Sequence, residues 1–168
     1  MEDGYICKIA TPAEMQRKWD YEIACHPHDR ENWLFWKQQA LQRAQSGLSI
    51  PYYGLLGENI ICEATAMLDA TIVQNGEGLT GGDRVYLSAF RTVDDYRGQG
   101  YFSRLLSFLL ADLRRRGFRL ATLGVEPSEL TNQSIYAHYG FGQYLKSGTE
   151  TYPDGTAIAV DYYAKPLV

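Results

Sequence analysis

Between residues 102 and 113 apolar side chains recur at spacings of three and four: Phe102, Leu105, Leu106, Leu109, Leu110 and Leu113. That period belongs to a helix with one buried stripe, so the spacing predicts a helix over roughly 100–116, stopped by Gly117. What precedes it is unusual for a helix start. A helix leaves its first amide hydrogens without intrahelical partners, and a Ser, Thr, Asp or Asn normally caps one of them. Here the approach is Arg97-Gly98-Gln99-Gly100. Two readings are open. The glycines supply a tight turn, or they leave bare amides for an anion, which the helix dipole favours and the Arg97 guanidinium complements. The nucleotide patterns do not fit: there is no Gly-x-x-x-x-Gly-Lys-Ser/Thr, and Ser103 stands where a dinucleotide fingerprint wants another glycine.

Around this helix the chain reads as a mixed α/β layer. "YICKIA" at 5–10 alternates as a first strand, and Pro12 stands at a plausible helix start. Helix formers continue to Ser46, broken at "CHPHD" by Pro27, which predicts two helices joined by a turn. "PYYGLLGENIICEATAMLD" predicts an antiparallel hairpin around Gly57-Glu58-Asn59, with Ile60, Cys62, Ala64 and Ala66 on one face. A loop at 74–83 leads into the strand "RVYLSAFRTV". After the central helix come the strand "FRLATLGV", the short helix "NQSIYAHYG" closed by Gly140, and a last strand "AIAVDYYAK".

At 168 residues, 45% hydrophobic and 21% charged, the chain has the size and composition of one globular domain, 1–168. No apolar run approaches the roughly 18 residues of a membrane span, and the N-terminus lacks a basic end followed by an apolar stretch, so the expectation is a cytoplasmic protein without membrane contact. Cys7, Cys25 and Cys62 fit neither a disulfide framework nor a zinc pattern and read as buried free thiols. The formal charge of −4 argues mildly against a nucleic-acid surface.

"YRGQGYFSRLL" resembles the acyl-CoA pyrophosphate loop of the GNAT superfamily of N-acetyltransferases, whose pattern is Arg or Gln, two residues, Gly, one residue, Gly or Ala. Arg97 and Gly100 match it, and Phe102 stands at the second small position. "IYAHYGF" at 135–141 is similar to the family's Leu-Tyr-x-x-x-Gly-Phe segment after the fifth strand. The two lie in the family's order and at about its separation. The resemblance implies a GNAT-like fold, a central, mostly antiparallel twisted sheet flanked by helices. It implies acetyl-CoA as cosubstrate, without a metal, and an amine acceptor, a small molecule or a peptide.

Residue by residue, the resemblance implies that Arg97, Gly98, Gln99, Gly100, Tyr101 and Phe102 hold the pyrophosphate. The backbone around Phe90 and Thr92 pairs with the pantetheine arm. Tyr136 protonates the departing thiolate; a common asparagine position of the family is Glu129 here, and Asn132, three residues later, is the candidate cofactor contact. An amine of pKa about 10.4 is almost entirely protonated at pH 7, so a base is wanted. Glu126, at the end of a strand, is the first candidate and Glu63 the second; for each the other reading is a solvated surface carboxylate. Trp33, Trp36, Tyr52 and Tyr53 read as core, in the region where the family shapes its acceptor pocket. His26 and His28 beside Pro27 lack a third ligand and read as loop residues. "RRRGFR" at 114–119 reads as a solvated helix end. A non-catalytic acyl-CoA-binding module of the same fold is the rival to the enzyme, and a homodimer is compatible with either.

Overall fold

The computed structural model describes residues 4–167. The elements follow one another as β1 (Tyr5–Ile9), α1 (Pro12–Cys25), α2 (Arg30–Gln45), β2 (Ser49–Leu56), β3 (Asn59–Met67), β4 (Arg84–Thr92), α3 (Tyr101–Arg115), β5 (Leu120–Val125), α4 (Leu130–His138), β6 (Gln143–Thr151) and β7 (Ala157–Pro166). The seven strands form one sheet in the order β1-β2-β3-β4-β5-β7-β6. β1 with β2, β5 with β7, and β6 with β7 are antiparallel, whereas β4 and β5 run parallel from Arg84↔Leu120 to Leu87↔Leu123. A parallel pair needs a crossover, and α3 is the element between those two strands.

Each predicted element forms. The α1 start is fixed by a capping box: Thr11 Oγ1 accepts from the Glu14 amide at 3.2 Å, and Glu14 Oε1 accepts from the Thr11 amide at 2.8 Å, with Pro12 in the first turn. Pro27 breaks the helical run into a short 3-10 turn before α2. Along α3 the buried stripe is Leu105, Leu106, Leu109 and Leu113, while Phe102 and Leu110 are half-buried. Gly117 ends this segment at φ 98°.

Two expectations are corrected, the start of α4 and the burial of the cysteines. Besides Cys62, Ala64 and Ala66, β3 also buries Ile61 and Glu63 on its other face. α4 begins at Leu130, two residues ahead of the predicted stretch. Cys25 is exposed and Cys7 half-buried, so only Cys62 is a buried thiol. β6 adds a strand that the sequence does not announce; its nine residues are mostly exposed, and it is held by its pairing with β7.

The chain divides into two compact units, Met1–Thr65 with Ala89–Leu109, and Ala66–Ser88 with Leu110–Val168. In the first, Met15 and Trp19 of α1 pack on Tyr53 and Leu55 of β2, covered by Trp33, Trp36 and Leu41 of α2. In the second, Leu79, Tyr86, Val160 and Tyr162 form the core, with Met67, Val73, Leu145 and Ile158 around it. The loop after β3 is strapped to β6 in this second unit. Gln74 exchanges side-chain hydrogen bonds with both backbone groups of Thr151, at 2.9 and 2.7 Å, and Asn75 Nδ2 donates to the Thr149 carbonyl at 3.1 Å and to the Tyr162 hydroxyl at 3.0 Å.

Candidate active site

In the first unit β4 runs into a turn that sets up the glycine loop. The Val93 amide donates to the Ile61 carbonyl at 2.9 Å, and the Tyr96 and Arg97 amides close the 3-10 turn on Val93 and Asp94. Gly98 and Gly100 follow at φ 74° and 86°, the left-handed region that side chains resist, and a Cβ built on either would meet nothing within 4 Å. α3 starts at Tyr101, with the Arg104 amide donating to the Gly100 carbonyl at 3.1 Å. The residue in the capping position is thus a glycine, with no side chain to satisfy the first amides of a fifteen-residue helix. The first amides of a helix have no intrahelical acceptor, and together with the helix dipole and the open space at Gly98 and Gly100 they fit a diphosphate.

Arg97 completes that surface. Its Nε lies 3.3 Å from the Thr92 carbonyl, and its NH2 group pairs with Asp94 at 3.1 Å, with both side chains largely in solvent. An exposed pair of this kind is worth about 0–1 kcal/mol, so a phosphate can compete for the guanidinium. Gln99 is held by donation to the Asp95 carbonyl at 3.0 Å. The large residue at position 102 also has a partner: the Phe102 ring meets Phe90 edge-on, centroids 5.5 Å apart. The Tyr101 carbonyl accepts from the Tyr5 hydroxyl at 3.0 Å. Eight of the nine cofactor positions expected from sequence therefore lie on one continuous stretch, from Phe90 to Phe102.

Asn132 is the ninth, and it lies in the second unit with Glu126 and Tyr136. Its Nδ2 donates to Glu129 Oε2 within the first turn of α4. Glu126 follows β5, half-exposed, and its carbonyl accepts the Glu129 amide at 3.0 Å. Tyr136 sits on α4, and burial, reinforced by the Glu129 carboxylate, pushes its hydroxyl up to about 12. It therefore keeps its proton throughout the neutral range.

The sequence pattern of the acetyltransferase (GNAT) family matches residues 12–141. The chain belongs to this family. Solved structures agree in fold. An N-acetyltransferase from Staphylococcus aureus Mu50 superposes with a TM-score of 0.68 at 12% identity, covering 98% of this chain and 99% of that one. The yncA protein of Salmonella typhimurium, solved with its cofactor acetyl-CoA, gives 0.65 at 16% identity, covering 98% and 94%. The ribosomal-protein-S18-alanine N-acetyltransferase of Escherichia coli gives 0.65 at 16% identity, covering 97% and 94%. No match was found among curated proteins. Acetyl-CoA is the cosubstrate the GNAT family uses, and the open glycine loop has the donors for it.

This GNAT chain also holds charged residues that sequence reasoning missed or misjudged, all in the first unit. Glu63 is not a solvated carboxylate: its side chain is 7% exposed and pairs with Lys18 Nζ at 2.7 Å. Burial raises its pKa, opposed by Lys18. Glu22 of α1, equally buried, pairs with Arg91 of β4 at 3.0 Å. Arg91 lies over the Trp33 ring at 5.4 Å, and His26 stacks on that ring at 4.2 Å. A lysine and a glutamate inside one helix carry no local sign of burial. Only the strands packing beside α1 reveal them as buried.

Two further features mark β4. Ala89 adopts φ 58°, a conformation that costs an L-residue about 1–2 kcal/mol, and the hydroxyl of Ser88 before it is buried with no hydrogen-bond partner. Strain and an unsatisfied group collect directly ahead of Phe90.

Proposed function

We propose that this GNAT protein is an N-acetyltransferase that moves the acetyl group of acetyl-CoA to a primary amine by direct attack. The observation that carries the reading is the loop at Gly98 and Gly100, left-handed, unobstructed and placed at the start of α3. The amides of that loop and Arg97 hold the pyrophosphate. The backbone at Phe90 and Thr92 aligns the pantetheine arm. Bound there, acetyl-CoA supplies an activated acyl carbon. As the nitrogen–carbon bond forms and the carbon–sulfur bond breaks, the amine loses a proton and the sulfur needs one.

Glu126 is the proposed base and Tyr136 the proposed acid. A hydroxyl at about 12 stays protonated until it is needed. It is a weaker acid than a thiol, at about 8.5, so full transfer to the leaving thiolate runs uphill by about three pKa units, and the hydroxyl meets the growing charge on sulfur first as a hydrogen-bond donor.

The test is a calorimetric titration of the purified chain with acetyl-CoA, with NAD and ATP as controls, repeated on Gly100→Glu and followed by a CoA-release assay over a panel of amines. Selective binding that the substitution abolishes, with release by at least one amine, is the expected result. Tight binding with no release by any amine would make the protein a non-catalytic acyl-CoA-binding module. No binding would end the transferase reading.

A further inference from the structure

Within the first unit a cleft of about 470 Å3 opens between α1, the β2–β3 turn, β3 and the end of β4. Small-molecule sites span roughly 300–1,000 Å3, so this one has room for a ligand. Four carboxylates and three cations line it, and each cation is already engaged. Lys18 is tied to Glu63 at 2.7 Å, Arg91 to Glu22 Oε1 at 3.0 Å, and Arg17 donates to the Glu58 carbonyl at 2.8 Å. An anionic ligand would have to break one of these contacts.

Glu22 is left half satisfied. Its side chain is 4% exposed, and its second oxygen, Oε2, is buried without a hydrogen-bond partner. His26 Nδ1 stands 3.6 Å from it, beyond hydrogen-bond reach. That same nitrogen lies 2.7 Å from the Glu22 carbonyl oxygen, which takes its one hydrogen. Glu22, a residue of the cleft wall, therefore carries a buried carboxylate oxygen that lacks a donor, and buried polar atoms in native folds are as a rule paired. What the chain does not supply, a ligand can. An ammonium group brings positive charge and several N–H donors to this oxygen, and the tyrosine rings of Tyr21 and Tyr96 in the cleft wall suit a cation.

We propose that this cleft is the acceptor site and that Glu22 Oε2 receives an N–H from the ammonium group of a small primary amine. Arg91, the partner that holds Glu22, occupies the β4 position between Phe90 and Thr92, which brings the cleft to the strand proposed for the pantetheine arm. The acceptor role rests on the acetyltransfer reading above, whereas amine binding at Glu22 does not.

The test begins without acetyl-CoA. Butylamine, 1,4-diaminobutane and spermidine are titrated calorimetrically into the intact chain, with 1,4-butanediol as the neutral control. The expected result is saturable binding of at least one amine, none of the diol, and a loss of about tenfold or more in amine affinity in Glu22→Gln. Glu22→Asp keeps the charge facing Arg91 but withdraws it by one methylene. It should weaken the same amine, and it preserves the test if the glutamine variant does not fold. With acetyl-CoA present, the amine that binds should be acetylated, with KM rising in both variants in step with Kd. Failure of every amine to bind, or binding indifferent to Glu22, overturns the site, and acetylation indifferent to Glu22 overturns its role for the acceptor. Amine binding that depends on Glu22 in a protein that does not bind acetyl-CoA would sustain the site and sink the transferase reading.

Discussion

Lys18 Nζ and Glu63 Oε2 lie 2.7 Å apart with their side chains 5% and 7% exposed, joining the middle of α1 to the middle of β3. Removing one partner leaves the other charge buried alone. Lys18→Met should therefore destabilise the fold by about 3–5 kcal/mol, read from denaturant unfolding. A loss no larger than that of an exposed pair would mean that water reaches the site.

The same pair has a pH signature. Burial holds the Glu63 carboxyl above its ordinary 4.5, against the pull of Lys18. The folded state then binds this proton more tightly than the unfolded chain. The stability it contributes is fully present below about pH 4.5 and is lost as pH rises through the folded-state value. Compared with Glu63→Gln, which cannot titrate, the native protein should lose ground as pH climbs from 4.5 toward neutrality. Denaturation midpoints measured across that interval check it, and parallel curves for the two proteins would contradict a raised carboxyl.

Tyr136→Phe removes the proposed acid without disturbing the glycine loop. Turnover should fall by about 10²–10⁴-fold while the Kd for acetyl-CoA stays the same. Because burial pushes the hydroxyl up to about 12, the native kcat should show no alkaline decline from this residue until pH approaches that value. Unchanged turnover in the phenylalanine variant would remove Tyr136 from the mechanism.

At Gly100 the backbone stands at φ 86°, and an added Cβ would meet open space. Gly100→Ala should then cost about 1–2 kcal/mol of stability through the left-handed conformation alone. It should also weaken acetyl-CoA, because the loop relaxes away from the shape that exposes its amides. Calorimetry on the alanine variant separates the two effects: an intact affinity would show that those amides do not hold the diphosphate.

Asn75 works differently, through its side chain. It donates to the Thr149 carbonyl and the Tyr162 hydroxyl from a residue at φ 56°. Asn75→Ala should destabilise by about 1–3 kcal/mol and speed amide hydrogen exchange through residues 74–77 and β6. Exchange that quickens uniformly over the chain would show that the strap is not a local device.

The elements that bury one regular stripe were legible in the sequence. α3 could be drawn from Leu105, Leu106, Leu109 and Leu113 alone, and the glycine approach and the tyrosine segment pointed to the family. What escaped was set by tertiary partners. β6, with Gln143, Lys146, Ser147, Thr149 and Glu150, has no apolar face to announce it and is a strand because β7 lies beside it. Glu22 and Arg91 stand far apart in sequence and look like ordinary surface charges until α1 and β4 bring them to 3.0 Å. The cleft proposed for the acceptor was illegible for the same reason: its signal is a missing hydrogen-bond partner, which no local pattern encodes.

β6 closes the sheet on one side, and a strand in that position offers a row of main-chain donors and acceptors to any neighbouring chain. Here Gln74 covers both backbone groups of Thr151, Asn75 covers the Thr149 carbonyl, and a shift in register between Tyr144 and Lys146 bends the strand. A second copy adding a strand to this edge would have to displace both side chains and match an irregular ladder. The strap that orders the loop is thereby also a barrier to aggregation, and it guards the border that the mainly polar, exposed sequence of β6 would otherwise leave open.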